Sequence, residues 1–128
     1  MRLLLDTHLL LWAAEGSERL SATATHLIDD LDNQLFFSSA SLWEVAIKYA
    51  RGRSDFAVDP RLLRRRLHSH GYDEVPVTAE HAIAVNDLPP LHTDPFDRIL
   101  IAQSLVEGIT LLTSDRRVAQ YPARVQRV

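Results

Sequence analysis

Residues 2–8 read RLLLDTH, an apolar run that ends at Asp6. A second apolar run, residues 109–114, reads ITLLTS and is followed by Asp115. Short apolar runs bounded by polar residues are typical of strands that are buried on both faces of a parallel sheet. Because the carboxyl ends of parallel strands meet at one edge of the sheet, we expect Asp6 and Asp115 to lie close together.

Strand-like runs alternate with helix-like segments along the chain, which predicts an α/β fold with a mostly parallel central sheet of four to five strands flanked by helices. The predicted strands are residues 2–6, 35–38, 74–77 and 109–112, with a weak last strand at 124–128. The predicted helices are residues 8–14, 21–31, 41–50, 59–71, 78–85 and 95–106. With no repeat or linker in sight, residues 1–128 form a single domain.

Three details of this prediction can be checked directly. Pro76 cannot donate a hydrogen bond to a neighbouring strand, so the strand at 74–77 belongs at an edge of the sheet. The helix at 21–31 is expected to bury an apolar face formed by Ala22, Leu27, Ile28 and Leu31. The predicted helix caps are Ser21, Asp59, Thr78 and Asp94, two of them followed by proline.

Two further acidic residues, Glu44 and Asp97, lie in the opening turns of predicted helices. Glu44 follows the second strand by a few residues, and Asp97 begins the helix that leads into the fourth strand. With Asp6 and Asp115 they form a predicted cluster of carboxylates. Two carboxylates about 4 Å apart repel by about 4 kcal/mol at an effective dielectric of 20, so such a cluster binds either protons or a divalent cation. Carboxylate clusters without cysteine favour Mg²⁺ or Mn²⁺, which indicates phosphoryl chemistry.

Each acid also has an ordinary structural explanation. Asp6 and Asp115 suit the start of a turn or helix, and Asp97 complements a helix dipole. Glu44 suits an exposed position paired with Lys48 one turn later. Asp94 is better explained as a cap than as a ligand, because Pro95 fits the first position of a helix. The four acids together are harder to explain in this way than any one of them.

The overall composition limits the possible functions. The chain has 46% hydrophobic and 24% charged residues, which is typical of a globular protein. It has no cysteine, which fits a reducing compartment, and no apolar run long enough for a signal peptide or membrane span. We therefore expect a cytoplasmic protein. The net charge of −3 excludes a generally basic nucleic-acid binder, although every basic residue except Lys48 is arginine.

Four motifs contain these acids in order. They are LLDTHLLLW at 4–12, SSASLWEVAIK at 38–48, HTDPFDRILIAQ at 92–103 and LLTSDR at 111–116. Taken together, their order and spacing resemble the PIN-domain ribonucleases, specifically the VapC-type toxins of bacterial toxin–antitoxin pairs. Only the segment at 51–59 matches less closely.

The resemblance implies a three-layer PIN-like fold in which Asp6, Glu44, Asp97 and Asp115 bind Mg²⁺ or Mn²⁺. It also implies metal-dependent cleavage of RNA, a homodimer and a tightly bound VapB-like antitoxin. Asp6 and Asp97 are the expected main ligands. Glu44 either binds the ion or orients the attacking water, and Asp115 either completes the ligand set or holds a water.

Neighbouring side chains have two possible roles each. Thr7, Ser38 and Thr113 either orient the carboxylates or cap helices and strand ends. Arg98 and Arg116 stand beside site acids and are candidates for contacting substrate phosphate. Trp12, Trp43 and Phe96 fall at core-like positions, so packing is the expected role, ahead of contact with a partner. A surface patch including Leu9, Leu10 or Trp12 would indicate a dimer contact.

Other fold families with acidic sites fit less well. A haloacid-dehalogenase-like phosphatase needs an aspartate where this chain has His8, and a receiver domain needs a lysine after a late strand. The glycines are isolated, so no dinucleotide-binding loop is present. Two alternatives stay open: a DNA-directed nuclease with the same acidic site, and a catalytically inactive PIN module that binds RNA or protein.

Overall fold

The structure, a computed structural model, describes residues 1–128 in full. Five strands form one sheet: β1 (Arg2–Leu5), β2 (Gln34–Ser38), β3 (Asp73–Val75), β4 (Thr110–Thr113) and β5 (Val125–Arg127). Their order across the sheet is β3-β2-β1-β4-β5, and every neighbouring pair is parallel. The predicted α/β class is confirmed, and β3 lies at an edge as Pro76 required.

Six helices connect the strands: α1 (Thr7–Glu15), α2 (Ala22–Asp29), α3 (Ser39–Ala50), α4 (Pro60–Ser69), α5 (Ala79–Ala84) and α6 (Pro95–Glu107). Short 3₁₀ turns occur at Ser54–Phe56, Val85–Asp87 and Val118–Gln120. The predicted caps Ser21, Asp59, Thr78 and Asp94 each accept a backbone hydrogen bond from the first turn of their helix. The helices therefore begin where the sequence indicated, because these side chains satisfy amide groups that the helix leaves unpaired.

The buried face predicted for α2 is partly wrong. The helix ends at Asp29 and buries Ala24, whereas Ala22 is exposed and Leu31 is 99% exposed. Asp30 leaves the helix in an extended conformation, and its carboxylate accepts a hydrogen bond from the backbone of Asp32. The aspartate thus forms a turn that competes with the next helical turn, and the apolar periodicity gave no sign of it.

Successive side chains of the central strands enter two different cores. From β1, Leu3 and Leu5 pack against α1 and α4, whereas Leu4 packs on the opposite face against α6. Phe37 and Phe36 of β2 divide in the same way. This alternation follows from the two-residue repeat of a strand. It explains why the strands have unbroken apolar sequences and why β1 is fixed at the centre.

None of the helices combines the length and the apolar composition that a membrane span requires.

The central position of β1 can be tested against the exposed Leu31. Leu4 is fully buried, and Leu4→Ala should lower the free energy of unfolding by about 2–5 kcal/mol because it leaves a cavity in the core. Leu31→Ala should change it by less than about 0.5 kcal/mol. Urea unfolding followed by circular dichroism measures both, and similar losses in the two variants would contradict the described packing.

Candidate active site

The four acids predicted to cluster all line one cleft at the carboxyl ends of β1 and β4. The cleft has a volume of about 640 Å³. Its other charged or ionisable side chains are His8, Glu15, Arg19, Lys48, Asp55, His92, Asp94 and Arg117. Acidic groups outnumber the permanent cations Arg19, Lys48 and Arg117, so the cleft has a strong attraction for added positive charge.

Asp6 is held on both of its carboxylate oxygens. It follows β1 directly and caps α1, with Oδ1 accepting a hydrogen bond from the Leu9 amide at 2.9 Å. Oδ2 accepts one from the Thr113 hydroxyl at 2.6 Å. The ordinary explanation, a helix cap, is therefore correct, but the same carboxylate also faces the cleft. The two roles coexist because the amino end of α1 points towards the cleft.

Burial raises the pKa of the Asp6 carboxyl above its ordinary value. The hydrogen bonds from Thr113 and the Leu9 amide oppose this shift, and the nearby charge of Glu44 adds to it. An anionic Asp6 thus lacks enough positive charge around it, which is the condition that a bound cation relieves.

Glu44 faces the cleft from the second turn of α3. Its side chain is only 5% exposed, and Lys48 Nζ lies 2.5 Å from its Oε2. The predicted pairing with Lys48 is present, but the pair lies in the cleft and not on an open surface. Helix α3 begins directly after β2 because the Ser38 hydroxyl caps it, and this tight connection directs Glu44 back to the strand ends.

Asp97 belongs to a second group of ligand-type side chains at the start of α6. His92 Nε2 lies 2.7 Å from Asp97 Oδ2, and one ligand atom each from His92, Asp94 and Asp97 fall within 4.8 Å of one another. Burial, followed by the charge of Asp94, raises the pKa of Asp97 to about 6, although the hydrogen bond with His92 works in the opposite direction. Sequence reasoning missed His92, since it tested the histidines only for zinc spacing; its place two residues before the Asp94 cap was the available signal.

Thr113 joins the acids at the two central strand ends. Its hydroxyl donates to Asp6 Oδ2 and accepts from the backbone amide of Asp115 at 3.0 Å. The Asp115 carboxylate in turn accepts a hydrogen bond from the Arg117 amide at 2.7 Å. Thr113 therefore orients a carboxylate, one of the two roles predicted for it.

Thr7 and Ser38 do not make the predicted contact with the acids. Thr7 Oγ1 donates to Ser41 Oγ at 3.0 Å, and Ser38 Oγ accepts from the Ala40 amide as the cap of α3. Both hydroxyls are buried. Their local hydrogen bonds account for them, so of the two roles predicted the structural one applies.

The arginine predictions also need correction. The Arg98 guanidinium donates to the Tyr121 hydroxyl and to backbone carbonyls that include Pro89 and Val85, so it holds the α5–α6 connection together and does not line the cleft. Arg116 is exposed and also lies outside the lining, whereas its neighbour Arg117 lines it. A three-residue turn after β4 decides which of two adjacent arginines faces inward, and the sequence does not specify that turn.

The aromatic residues beside the acids are less buried than predicted. Trp43 is 63% exposed and packs edge-on against Phe96, with ring centroids 5.2 Å apart, while Trp12 lines the cleft. Leu9 and Leu10 are buried in the core. The surface patch considered for Leu9 or Leu10 is therefore absent, and the exposed aromatic surface lies at Trp43.

Comparison with known proteins assigns the fold to a family. The PIN domain family model matches residues 3–124. The chain belongs to the PIN domain family. It is 29% identical over 119 residues to Ribonuclease VapC22 of Mycobacterium tuberculosis (strain ATCC 25618 / H37Rv), an alignment that covers 92% of this chain and 90% of that protein. The resemblance to VapC-type PIN domains is thereby confirmed.

Solved structures share the architecture of this PIN domain. VapBC2 from Rickettsia felis, bound to a DNA fragment from its promoter, superposes with a TM-score of 0.70 at 14% identity, covering 99% of this chain and 98% of that one. DNA-bound VapBC from Salmonella typhimurium gives 0.67 at 14% identity, with the same coverage. VapBC-1 from nontypeable Haemophilus influenzae gives 0.65 at 16% identity, again covering 99% and 98%. At these identities the likeness shows the fold.

The side chains of the PIN-domain cleft fit a hard divalent cation. Asp6 and Asp97 are carboxylates from different segments, and each raises the pKa of the other as well as being raised by burial. Oxygen donors of this kind suit Mg²⁺ and Mn²⁺. His92 adds one nitrogen beside Asp97, a donor that Mn²⁺ accepts more readily than Mg²⁺ does.

The hydrogen bonds of Thr113 predict a difference between two buried threonines. Thr113→Val should weaken binding of Mn²⁺ by about 10–100-fold, because Asp6 loses the group that orients it. Thr7→Val should leave the affinity for Mn²⁺ unchanged, since Thr7 donates to Ser41 and not to a site carboxylate. Calorimetric titration with Mn²⁺ measures both affinities; equal weakening in the two variants would remove Thr113 from the site.

The raised pKa of Asp97 predicts how stability depends on pH. Between its ordinary value of 3.8 and about 6 the folded protein binds more protons at this group than the unfolded chain does. The contribution is therefore full below pH 3.8 and is lost as the pH rises through about 6. In EDTA at pH 7.5, Asp97→Asn should be more stable than the wild type by about 1–2 kcal/mol, and the difference should vanish near pH 4.

A matched control for this titration is the exposed Asp32, whose change to Asn should alter stability at neither pH. The measurement is urea unfolding from pH 4 to 8. Parallel stability curves for the wild type and Asp97→Asn over that range would contradict the raised pKa.

Proposed function

We propose that this PIN domain is a Mg²⁺- or Mn²⁺-dependent endoribonuclease that hydrolyses RNA phosphodiester bonds. The observation that carries the proposal is that four carboxylates from separate segments, Asp6, Glu44, Asp97 and Asp115, line one cleft. Support comes from the similarity to a protein named Ribonuclease VapC22 over nearly the whole chain. A bound divalent cation in such a cleft activates water and stabilises charge on the phosphate.

The residues of the cleft divide the work. Asp6 and Asp97 hold the cation, and they are kept in place by Thr113 and His92 respectively. Asp115 faces the same space from the end of β4 and completes the acidic lining. In the hydrolysis, a water oxygen forms a bond to phosphorus as the bond to the leaving ribose oxygen breaks. The water gives up a proton and the leaving oxygen takes one up.

Glu44 has a defined share in this scheme. One of its oxygens is paired with Lys48, so the other is the atom available to orient the attacking water. Arg117, which lines the cleft beside Asp115, is the arginine placed to meet a substrate phosphate. It replaces Arg98 and Arg116 in that role.

We also propose that the protein is the toxin of a toxin–antitoxin pair, with a VapB-like antitoxin as its partner, and that it acts as a homodimer in the cytoplasm. The antitoxin is supported by the solved structures of like fold, whose names describe VapBC assemblies. The homodimer and the cytoplasmic location rest on the resemblance to VapC-type toxins. A short reading frame directly upstream of the gene, encoding a small DNA-binding protein, is the expected genetic setting.

The first test is cleavage of total bacterial RNA by purified protein free of antitoxin, with Mg²⁺, Mn²⁺ or EDTA. Cleavage should require the cation, and Asp6→Asn or Asp97→Asn should lower its rate at least ~100-fold, because each removes a charged ligand from a preorganised site. Asp32→Asn, on the surface, should cut at the wild-type rate. Circular dichroism confirms that each variant is folded.

The outcomes separate the alternatives. Full activity in a folded Asp6→Asn or Asp97→Asn protein would refute the proposed site. Cutting of single- or double-stranded DNA in place of RNA would establish the DNA-directed nuclease. Binding of the cation without cutting any nucleic acid would favour the inactive module.

A further inference from the structure

Lys48 is the one lysine of the chain, and it lies inside the cleft. Its side chain is 18% exposed, and its ammonium is paired with Glu44, a buried site acid. On an exposed helix surface, a pair with this four-residue spacing contributes little and moves freely. Here both partners are largely withdrawn from water.

Aromatic rings restrict where the ammonium can go. Lys48 Nζ lies over the Phe56 ring, 4.6 Å from its centroid, and 6.0 Å from the centroid of Phe96. Phe56 is fully buried, so its ring is a fixed support for the cation. An ammonium has three donors and no acceptor, and only one of the three is used, by Glu44. The cleft thus contains a fixed positive charge that still has hydrogen-bond donors to offer.

The position of this charge matters because of what it pairs with. In nucleases with two ions about 3.5–4 Å apart, a second divalent cation shares the site carboxylates and stabilises the phosphate. Glu44 is the carboxylate that would help to hold such an ion, and Lys48 already occupies one of its oxygens. A divalent ion at the same place would have to displace the ammonium and meet its repulsion.

We propose that the Lys48 ammonium takes the place of a second divalent cation. This PIN domain then binds one divalent ion per chain, held by Asp6 and Asp97, and Lys48 contacts the substrate phosphate through its unused donors. Lys48 remains charged throughout and transfers no proton. The inference rests on the proposed nuclease function, but the number of bound ions is measurable without any substrate.

The experiment counts Mn²⁺ bound to EDTA-stripped protein by calorimetry and electron paramagnetic resonance. Wild type should bind one equivalent per chain. Lys48→Met keeps an apolar stem against the aromatic rings and removes the charge, so the freed Glu44 should allow a second equivalent. Lys48→Arg should bind one equivalent, because it restores the cation.

Two controls make the count specific. Lys48→Met combined with Glu44→Gln should return to one equivalent, since the freed carboxylate is gone. Arg64→Met removes one partner of an ion pair with Glu74 that lies outside the cleft, and it should bind one equivalent as the wild type does. If Lys48→Met does not fold, Lys48→Gln gives the same charge change with a polar side chain.

Cleavage of total bacterial RNA gives the second measurement. With saturating Mn²⁺ the single-turnover rate of Lys48→Met should fall about 10–100-fold, and Lys48→Arg should retain most of the rate, because a charge-assisted contact to the phosphate is lost only in the first. Two equivalents of Mn²⁺ in the wild type would overturn the inference. So would a single equivalent in Lys48→Met bound with wild-type affinity.

The fate of the proposed nuclease is a separate result. If the wild type binds one equivalent and Lys48→Met two, but no variant cuts RNA, the assignment of Lys48 to the second cation position is supported and the nuclease function is overturned. If RNA is cut and the counts do not differ, the nuclease stands and the role of Lys48 is rejected.

Discussion

The hydrogen bond from Thr113 to Asp6 connects the two central strands at the point where the cleft begins. Asp6 ends β1 and caps α1, and Thr113 ends β4. The pairing of Leu5 with Leu112 fixes the register of these strands, so the threonine and the aspartate meet without freedom to slide. Packing of the leucines in the sheet and orientation of a site carboxylate are therefore the same structural event.

This arrangement places negative charges close together in a partly buried cleft, and the protein offsets their repulsion in three places. Lys48 pairs with Glu44, His92 bonds Asp97, and backbone amides bind Asp6 and Asp115. The compensation is incomplete at Asp6 and Asp97, whose pKa values stay raised by burial. Those two residues are where added positive charge would lower the energy of the folded state most.

The sequence predicted the parts of the molecule that depend on strong local signals. Apolar runs identified the strands, capping residues identified the helix starts, and the convergence of parallel strand ends brought the four acids to one cleft. It could not predict features that depend on turns of two or three residues. The extended Asp30 exposes Leu31, and the turn after β4 selects Arg117 over Arg116.

Tertiary partners were a second limit of the sequence. Arg98 stands beside a site acid in the sequence, yet carbonyls contributed by the α5–α6 connection surround its guanidinium. His92 is drawn to Asp97 by the turn that Asp94 caps, and Lys48 gains its meaning from Phe56, a residue in the segment that matched the family least. In each case the role depends on a contact between segments that periodicity does not describe.

The distance along the chain between Asp6 and Thr113 has a consequence for the order of assembly. The two residues are separated by 107 positions, and β4, which carries Thr113, is the next-to-last strand of the chain. Contacts between such distant segments form late, since most of the chain must be gathered before they are made. During synthesis from the amino end, the first strand therefore waits with one side unpaired until almost the whole polypeptide has been made. A nascent chain that has exposed three of its four acids still has no completed cleft.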